Sequence, residues 1–88
     1  MNEKNNKIKL TVVISSRDHE VTVNPHQTVE QLVREALRDS GNEGQPVDNW
    51  ELKKSDGSVV PNGARIQDTG ITDGSKLYLS PKAGTGGF

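Results

Sequence analysis

Cysteine, aromatic side chains and long apolar runs are scarce in this chain of 88 residues. The absence of cysteine excludes a disulfide framework, a thiolate metal site and any thiol or thioester chemistry carried by the chain itself. Any thiol must therefore come from a partner. Aromatic residues make up 3%, and 11 basic residues face 12 acidic ones with no basic run. The chain thus lacks the cluster of basic residues that binds nucleic-acid phosphates, and we expect no nucleic-acid partner.

No apolar stretch reaches the length of a signal peptide or a membrane span, so we expect a cytoplasmic protein without a membrane partner. Its length predicts one domain with a small core, burying about 60 to 65% of the surface of the unfolded chain. We expect a monomer. Residues 1–7 are polar and are predicted to form a flexible leader.

The first half of the chain predicts a hairpin and one helix. Alternating apolar residues over 8–14 and 20–24 indicate two strands, joined by a polar turn at 15–19. Thr28 and Gln31 then match a capping box, and Gly41 lies where a C-terminal cap is expected. Between them runs an apolar stripe with helical spacing: Val29, Leu32, Val33, Ala36 and Leu37. One such helix must cover a sheet, which predicts an α+β fold.

The second half predicts shorter strands. Residues 48–54 form a third strand with Trp50 and Leu52 directed inward, and the turn at 55–57 leads to an edge strand at 58–60. Ile71 is expected to close one end of the core. Residues 75–80 form the last strand, with the apolar residues on its inner face and Tyr78 on the other.

Residues 8–87 resemble ubiquitin and its relatives, the β-grasp family. Residues 22–32 are similar to the family's entry from strand through proline into the helix, and residues 65–79 are similar to its run into the final strand. The resemblance implies a mixed sheet of four to five strands packed on one helix (ββαββ), with the first and last strands parallel at its centre. It places the domain at 8–80 and a flexible diglycine tail at 81–88.

The tail carries the predicted site. Glycine has no side chain to shield its carbonyl from a nucleophile or to keep the backbone out of a partner's narrow slot. A Gly-Gly end is therefore well suited to transfer of its carbonyl as an acyl group. In the family, Gly86 and Gly87 would be the conjugation terminus and Phe88 the residue removed by a peptidase. Partner enzymes would recognise the segment before it: Lys82, Ala83, Gly84 and Thr85. The family's arginines are absent there, so an enzyme that activates ubiquitin should discriminate against this tail.

The resemblance implies a modifier precursor with four kinds of partner: an ATP-dependent activating enzyme, a conjugating enzyme with a catalytic cysteine, a JAB-type metallopeptidase and a target protein. Small bacterial ubiquitin-like proteins, some linked to defence against phage, are similar. Two alternatives stay open, a non-covalent adaptor of the type associated with type VII secretion and a sulfur carrier ending in a thiocarboxylate. Phe88 argues against the carrier, because such relatives usually end at the diglycine.

Other residues favour simpler interpretations. His19 and His26 are predicted to lie in polar turns, with no second ligand at metal spacing, so neither a metal nor a cofactor is expected. No acid, base and nucleophile converge, which argues against an enzyme. Outward residues of the later strands are predicted to be Glu51, Lys53 and Ser80, so receptors of ubiquitin's apolar patch should not bind here.

Overall fold

The computed structural model describes residues 7–82 and contains a five-stranded sheet with one helix. The strands are β1 (Ile8–Ile14), β2 (Arg17–Val23), β3 (Trp50–Lys54), β4 (Val59–Val60) and β5 (Lys76–Pro81), and the helix is α1 (Val29–Asp39). Two short 3₁₀ turns, Val47–Asn49 and Ile66–Asp68, lie in the connections.

The first hairpin is longer than the sequence pattern indicates. β1 and β2 pair without a break from Ile8↔Val23 to Ile14↔Arg17, so the turn contains only Ser15 and Ser16. Both serines have positive φ angles, 53° and 68°, as a two-residue turn of type I′ requires. The predicted turn at 15–19 is therefore wrong. Residues 17–19 did not match the alternating pattern because they are polar and none of them is buried, although their backbones complete the ladder.

The helix follows its sequence signals. The Thr28 hydroxyl accepts from the Gln31 N–H at 3.3 Å, and the Gln31 side chain accepts from the Thr28 N–H at 3.1 Å, which completes the predicted capping box. All five residues of the predicted stripe are buried. At the other end Gly41 has φ of 84° and donates to the Arg38 carbonyl at 3.1 Å, so the expected glycine cap is also confirmed.

The strand order is β2-β1-β5-β3-β4, with β1 and β5 parallel at the centre. This confirms the α+β fold and the central parallel pair that the resemblance implied. Three strands follow the helix, and the shortest of them, β4, lies at one edge. β3 begins at Trp50, two residues later than predicted, because its ladder with β5 starts at the pair Trp50↔Pro81 and the three residues before it form a 3₁₀ turn.

The core lies between α1 and one face of the sheet. Ile71 is 5% exposed and confirms the expected plug, and the inner faces of β1 and β5 are buried as predicted except at Ile8, which is partly buried. Sequence periodicity did not identify three further buried residues, Val47, Val60 and Ile66. Val47 and Ile66 are single apolar residues in short segments, and Val60 directly follows the apolar Val59, so no repeat marks their inward direction.

Candidate functional site

The central strand β5 brings the chain to the end of the sheet where the predicted tail begins. β5 is paired on both sides, with β1 and with β3, and its last residue, Pro81, is opposite Trp50. The Lys82 N–H then donates to the Asn49 carbonyl at 2.9 Å. Lys82, exposed, is the one predicted site residue among those described. The others lie outside the described residues: Ala83, Gly84, Thr85, Gly86, Gly87 and Phe88.

A shallow depression of about 110 Å³ lies beside the point where β5 ends. Its walls come from β3, from β4, from the two residues after β4 and from the residue after β5: Trp50, Glu51, Val59, Val60, Pro61, Asn62 and Lys82. Trp50 packs against the core, as predicted, but it is only partly buried. An indole at the rim therefore offers apolar surface next to Lys82.

The outer face of the sheet carries the predicted polar residues and a row of side chains in which apolar and charged residues are mixed. Glu51 and Ser80 are opposite each other, and Lys53 is opposite Tyr78, on the face away from the buried Leu52. This agrees with their predicted outward direction. One row crosses all five strands at the level of Lys53: Asp18, Val13, Tyr78, Lys53 and Val59.

Two members of this row are the exposed large apolar residues of the described chain, Val59 at 55% and Tyr78 at 40%. Val13 lies between Asp18 and Tyr78 and is partly buried. The sequence contained a signal for this row, since Val13 and Tyr78 are apolar residues out of phase with the buried set. Their alignment across the sheet required the register.

The titratable groups of the described chain are mostly at the surface. His19 lies in β2 opposite Val12, which corrects its predicted place in a turn, and His26 lies in the exposed turn before α1. Asp56 accepts from the Ser58 hydroxyl at 2.6 Å and from the Ser58 N–H at 2.9 Å. These two bonds, with a smaller contribution from the charge of Lys54, lower the pKa of Asp56.

Between residues 7 and 82, no group of three or more histidine, aspartate or glutamate side chains is arranged to hold a metal ion. Over the same range, no helix has the length and apolar character needed to cross a bilayer.

Comparison with solved structures gives the fold. A protein designed on the basis of ubiquitin has a TM-score of 0.78 with 19% identity, covering 96% of this chain and 99% of that one. Ubiquitin from Caldiarchaeum subterraneum has a TM-score of 0.72 with 20% identity, over 91% and 99% of the two chains. The ubiquitin-like domain of Arabidopsis thaliana protein At2g32350 has a TM-score of 0.73 with 24% identity, over 93% and 84%.

Comparison of sequences gives the family. A curated relative, the uncharacterized protein y4jI of Sinorhizobium fredii, is 35% identical over 81 residues, which cover 92% of this chain. The chain spans 62% of the length of that relative. The family described as "Protein of Unknown function (DUF2604)" matches residues 3–87, so the match includes the two glycines at 86 and 87. The chain belongs to this family, DUF2604, and its fold is the ubiquitin-like β-grasp.

Proposed function

We propose that this chain is the precursor of a ubiquitin-like protein modifier, conjugated through the carboxyl group of Gly87. A peptidase of the JAB metallopeptidase type first hydrolyses the bond between Gly87 and Phe88, and water supplies the new carboxylate oxygen. The cytoplasm is the proposed location, because the later steps use ATP and a partner's reduced thiol.

The chain contributes an acyl group to these steps. The Gly87 carboxylate displaces pyrophosphate from ATP and forms an acyl adenylate, and a partner's cysteine thiolate then displaces AMP to form a thioester. An amine of the target protein attacks the thioester carbonyl, releasing the thiol and forming an amide. Glycine at both terminal positions leaves the carbonyl accessible in a slot that excludes larger side chains.

The observation that supports this proposal is the position of β5. This strand is held between β1 and β3 and ends at Pro81, and Gly86 and Gly87 follow Lys82 by four and five residues in the sequence. A partner can bind the folded domain near Trp50 and reach the Gly87 carbonyl through this short connection. The ubiquitin-like fold adds support, since it is the fold of known modifiers.

The test is made in the native host with a tagged chain. We expect the recovered protein to end at Gly87 and to form covalent adducts, whose digestion leaves a peptide branch ending in Gly-Gly on the target amine. Gly87→Ala should reduce adducts at least about tenfold at unchanged melting temperature, with Thr85→Ala as the matched tail control. If the chain recovered from the host keeps Phe88 and forms no adducts, the modifier function is refuted.

A non-covalent adaptor is the second candidate, and the three apolar side chains in the outer-face row support it. Val13, Tyr78 and Val59 offer a protein-binding surface that needs no processed tail. In that case a Tyr78→Ala variant would lose its partner while Gly87→Ala would behave like the wild type. A sulfur carrier would instead be recognised by mass spectrometry, as a thiocarboxylate on Gly87.

A further inference from the structure

Strand β2 forms a long open edge of the sheet. It pairs with β1 on one side only, and it runs for seven residues in continuous register without proline or a bulge. The opposite edge, β4, has two residues and is followed at once by Pro61. Proteins usually shorten, bend or cover such edges, because unpaired backbone groups attract further strands. The described chain leaves β2 uncovered along this side.

Hydrogen bonds on the other side of β1 show which backbone groups of β2 face outward. The Thr11 N–H donates to the Ser75 carbonyl at 3.0 Å, and the Lys9 carbonyl accepts from the Gly74 N–H at 2.8 Å. Odd-numbered residues of β1 therefore face β5, and the even-numbered ones face β2. Since the even-numbered residues of β1 pair with the odd-numbered ones of β2, the N–H and C=O groups of Asp18, Glu20 and Thr22 point away from the sheet.

The side chains of these three residues set the chemistry of the edge. All three are exposed, and they lie on the outer face opposite Val13, Thr11 and Lys9. A strand added here would place its own outer-face side chains directly beside two carboxylates, where cations are favoured and anions are disfavoured.

The same charges oppose a second copy of this chain as the occupant. An antiparallel pairing of β2 with itself, centred on Glu20, places the two glutamates opposite each other. A shift that brings Asp18 opposite Glu20 makes two such like-charge pairs, and like charges in direct opposition destabilise a sheet. The unpaired backbone groups of β2 can thus bind an added strand, and its two carboxylates favour a strand with basic side chains.

We propose that the outer edge of β2 binds an extended, basic segment of a partner protein as a sixth, antiparallel strand. The backbone groups of Asp18, Glu20 and Thr22 form its hydrogen bonds, and lysine or arginine side chains of the partner lie beside the two carboxylates. This interaction uses the edge farthest from β3 and β4, next to which the tail begins. It does not depend on conjugation through Gly87.

The probe is an acetylated and amidated heptapeptide, Ser-Thr-Val-Lys-Val-Lys-Ser. Titration into ¹⁵N-labelled protein should shift the resonances of β2, and hydrogen exchange of the Asp18, Glu20 and Thr22 amides should slow in the complex. Two control peptides separate charge from backbone pairing. One carries glutamate in place of both lysines, and the other carries N-methyl groups on the backbone nitrogens of the two lysines, which removes two of the three donors that face β2. We expect neither control to bind.

Protein variants give the reciprocal test. The double variant Asp18→Lys, Glu20→Lys should bind the lysine peptide on the order of tenfold more weakly and should gain binding to the glutamate peptide. Glu43→Lys changes charge in the same direction in an exposed loop and should bind like the wild type. Glu20→Pro removes an outward N–H, which an edge strand tolerates, and should abolish binding in a chain that still melts cooperatively.

Three results would overturn the proposal. The first is no binding of the lysine peptide at millimolar concentration. The second is equal binding of the N-methylated peptide, which would show non-specific charge attraction. The third is a set of shifts centred on Tyr78, which would place the peptide on the outer face of the sheet. If the double lysine variant does not fold, the two control peptides decide the question with the wild-type chain.

Discussion

The turn between β1 and β2 stores backbone strain that a double substitution should release. Ser15 and Ser16 have φ angles of 53° and 68°, in the left-handed region, where a side chain with a Cβ costs about 1 to 2 kcal/mol per residue. Turns of type I′ favour Asn-Gly, because asparagine visits this region readily and glycine has no Cβ. We therefore consider the variant Ser15→Asn, Ser16→Gly.

Its expected gain is smaller than the strain it removes. Glycine also raises the entropy of the unfolded chain, which costs about 0.4 to 1 kcal/mol, and asparagine keeps part of the left-handed penalty. The net effect on the free energy of unfolding should be an increase of about 1 kcal/mol. For a domain of this size that corresponds to a rise in melting temperature of about 4 to 8 °C.

Thermal unfolding followed by circular dichroism measures this change. Ser16→Ala is the matched control, since alanine keeps the Cβ, and it should not raise the melting temperature. In the Asn-Gly variant, the cross-strand contact between Ile14 and Arg17 should persist in NMR spectra. An unchanged or lower melting temperature, with the hairpin register intact, would refute the assignment of strain to this turn.

Three further predictions concern the core, a turn and the outer face. Leu32 is 0% exposed, so Leu32→Ala should lower the free energy of unfolding by about 2 to 5 kcal/mol in denaturant titration; a melt like that of the wild type would show that Leu32 does not pack on the sheet. The lowered pKa of Asp56 predicts a contribution to stability that is present above the ordinary value of 3.8 and is lost as pH falls through the folded-state pKa. NMR titration of the Asp56 carboxyl group should show a pKa below 3.8, and Ser58→Ala should raise this pKa towards 3.8. Domains that bind ubiquitin's apolar patch should not bind here, because Glu51 and Lys53 would lose water without gaining partners; micromolar binding with shifts centred on these residues would contradict this.

The sequence predicted elements whose signals are local. The alternation in β1, the capping box of α1, its apolar stripe and the glycine cap at Gly41 all reappear in the structure, because each depends on residues within a few positions of one another. The diglycine site was likewise predicted from the sequence. Of its residues the structure describes Lys82 alone, and Gly86 and Gly87 are proposed as the conjugation terminus on the basis of the resemblance.

Tertiary structure decided everything that depends on which strands meet. Local periodicity could not pair β1 with β5, more than sixty residues apart; the family resemblance implied that pair, and the register made it specific. The same register aligned Val13, Tyr78 and Val59 into one outer row and left the backbone of β2 open at the edge. The physical reason is that a strand's own residues determine which of its side chains share a face. Which strands become neighbours in the sheet, and which edge stays open, is determined only when distant segments bury their inner faces together under one helix.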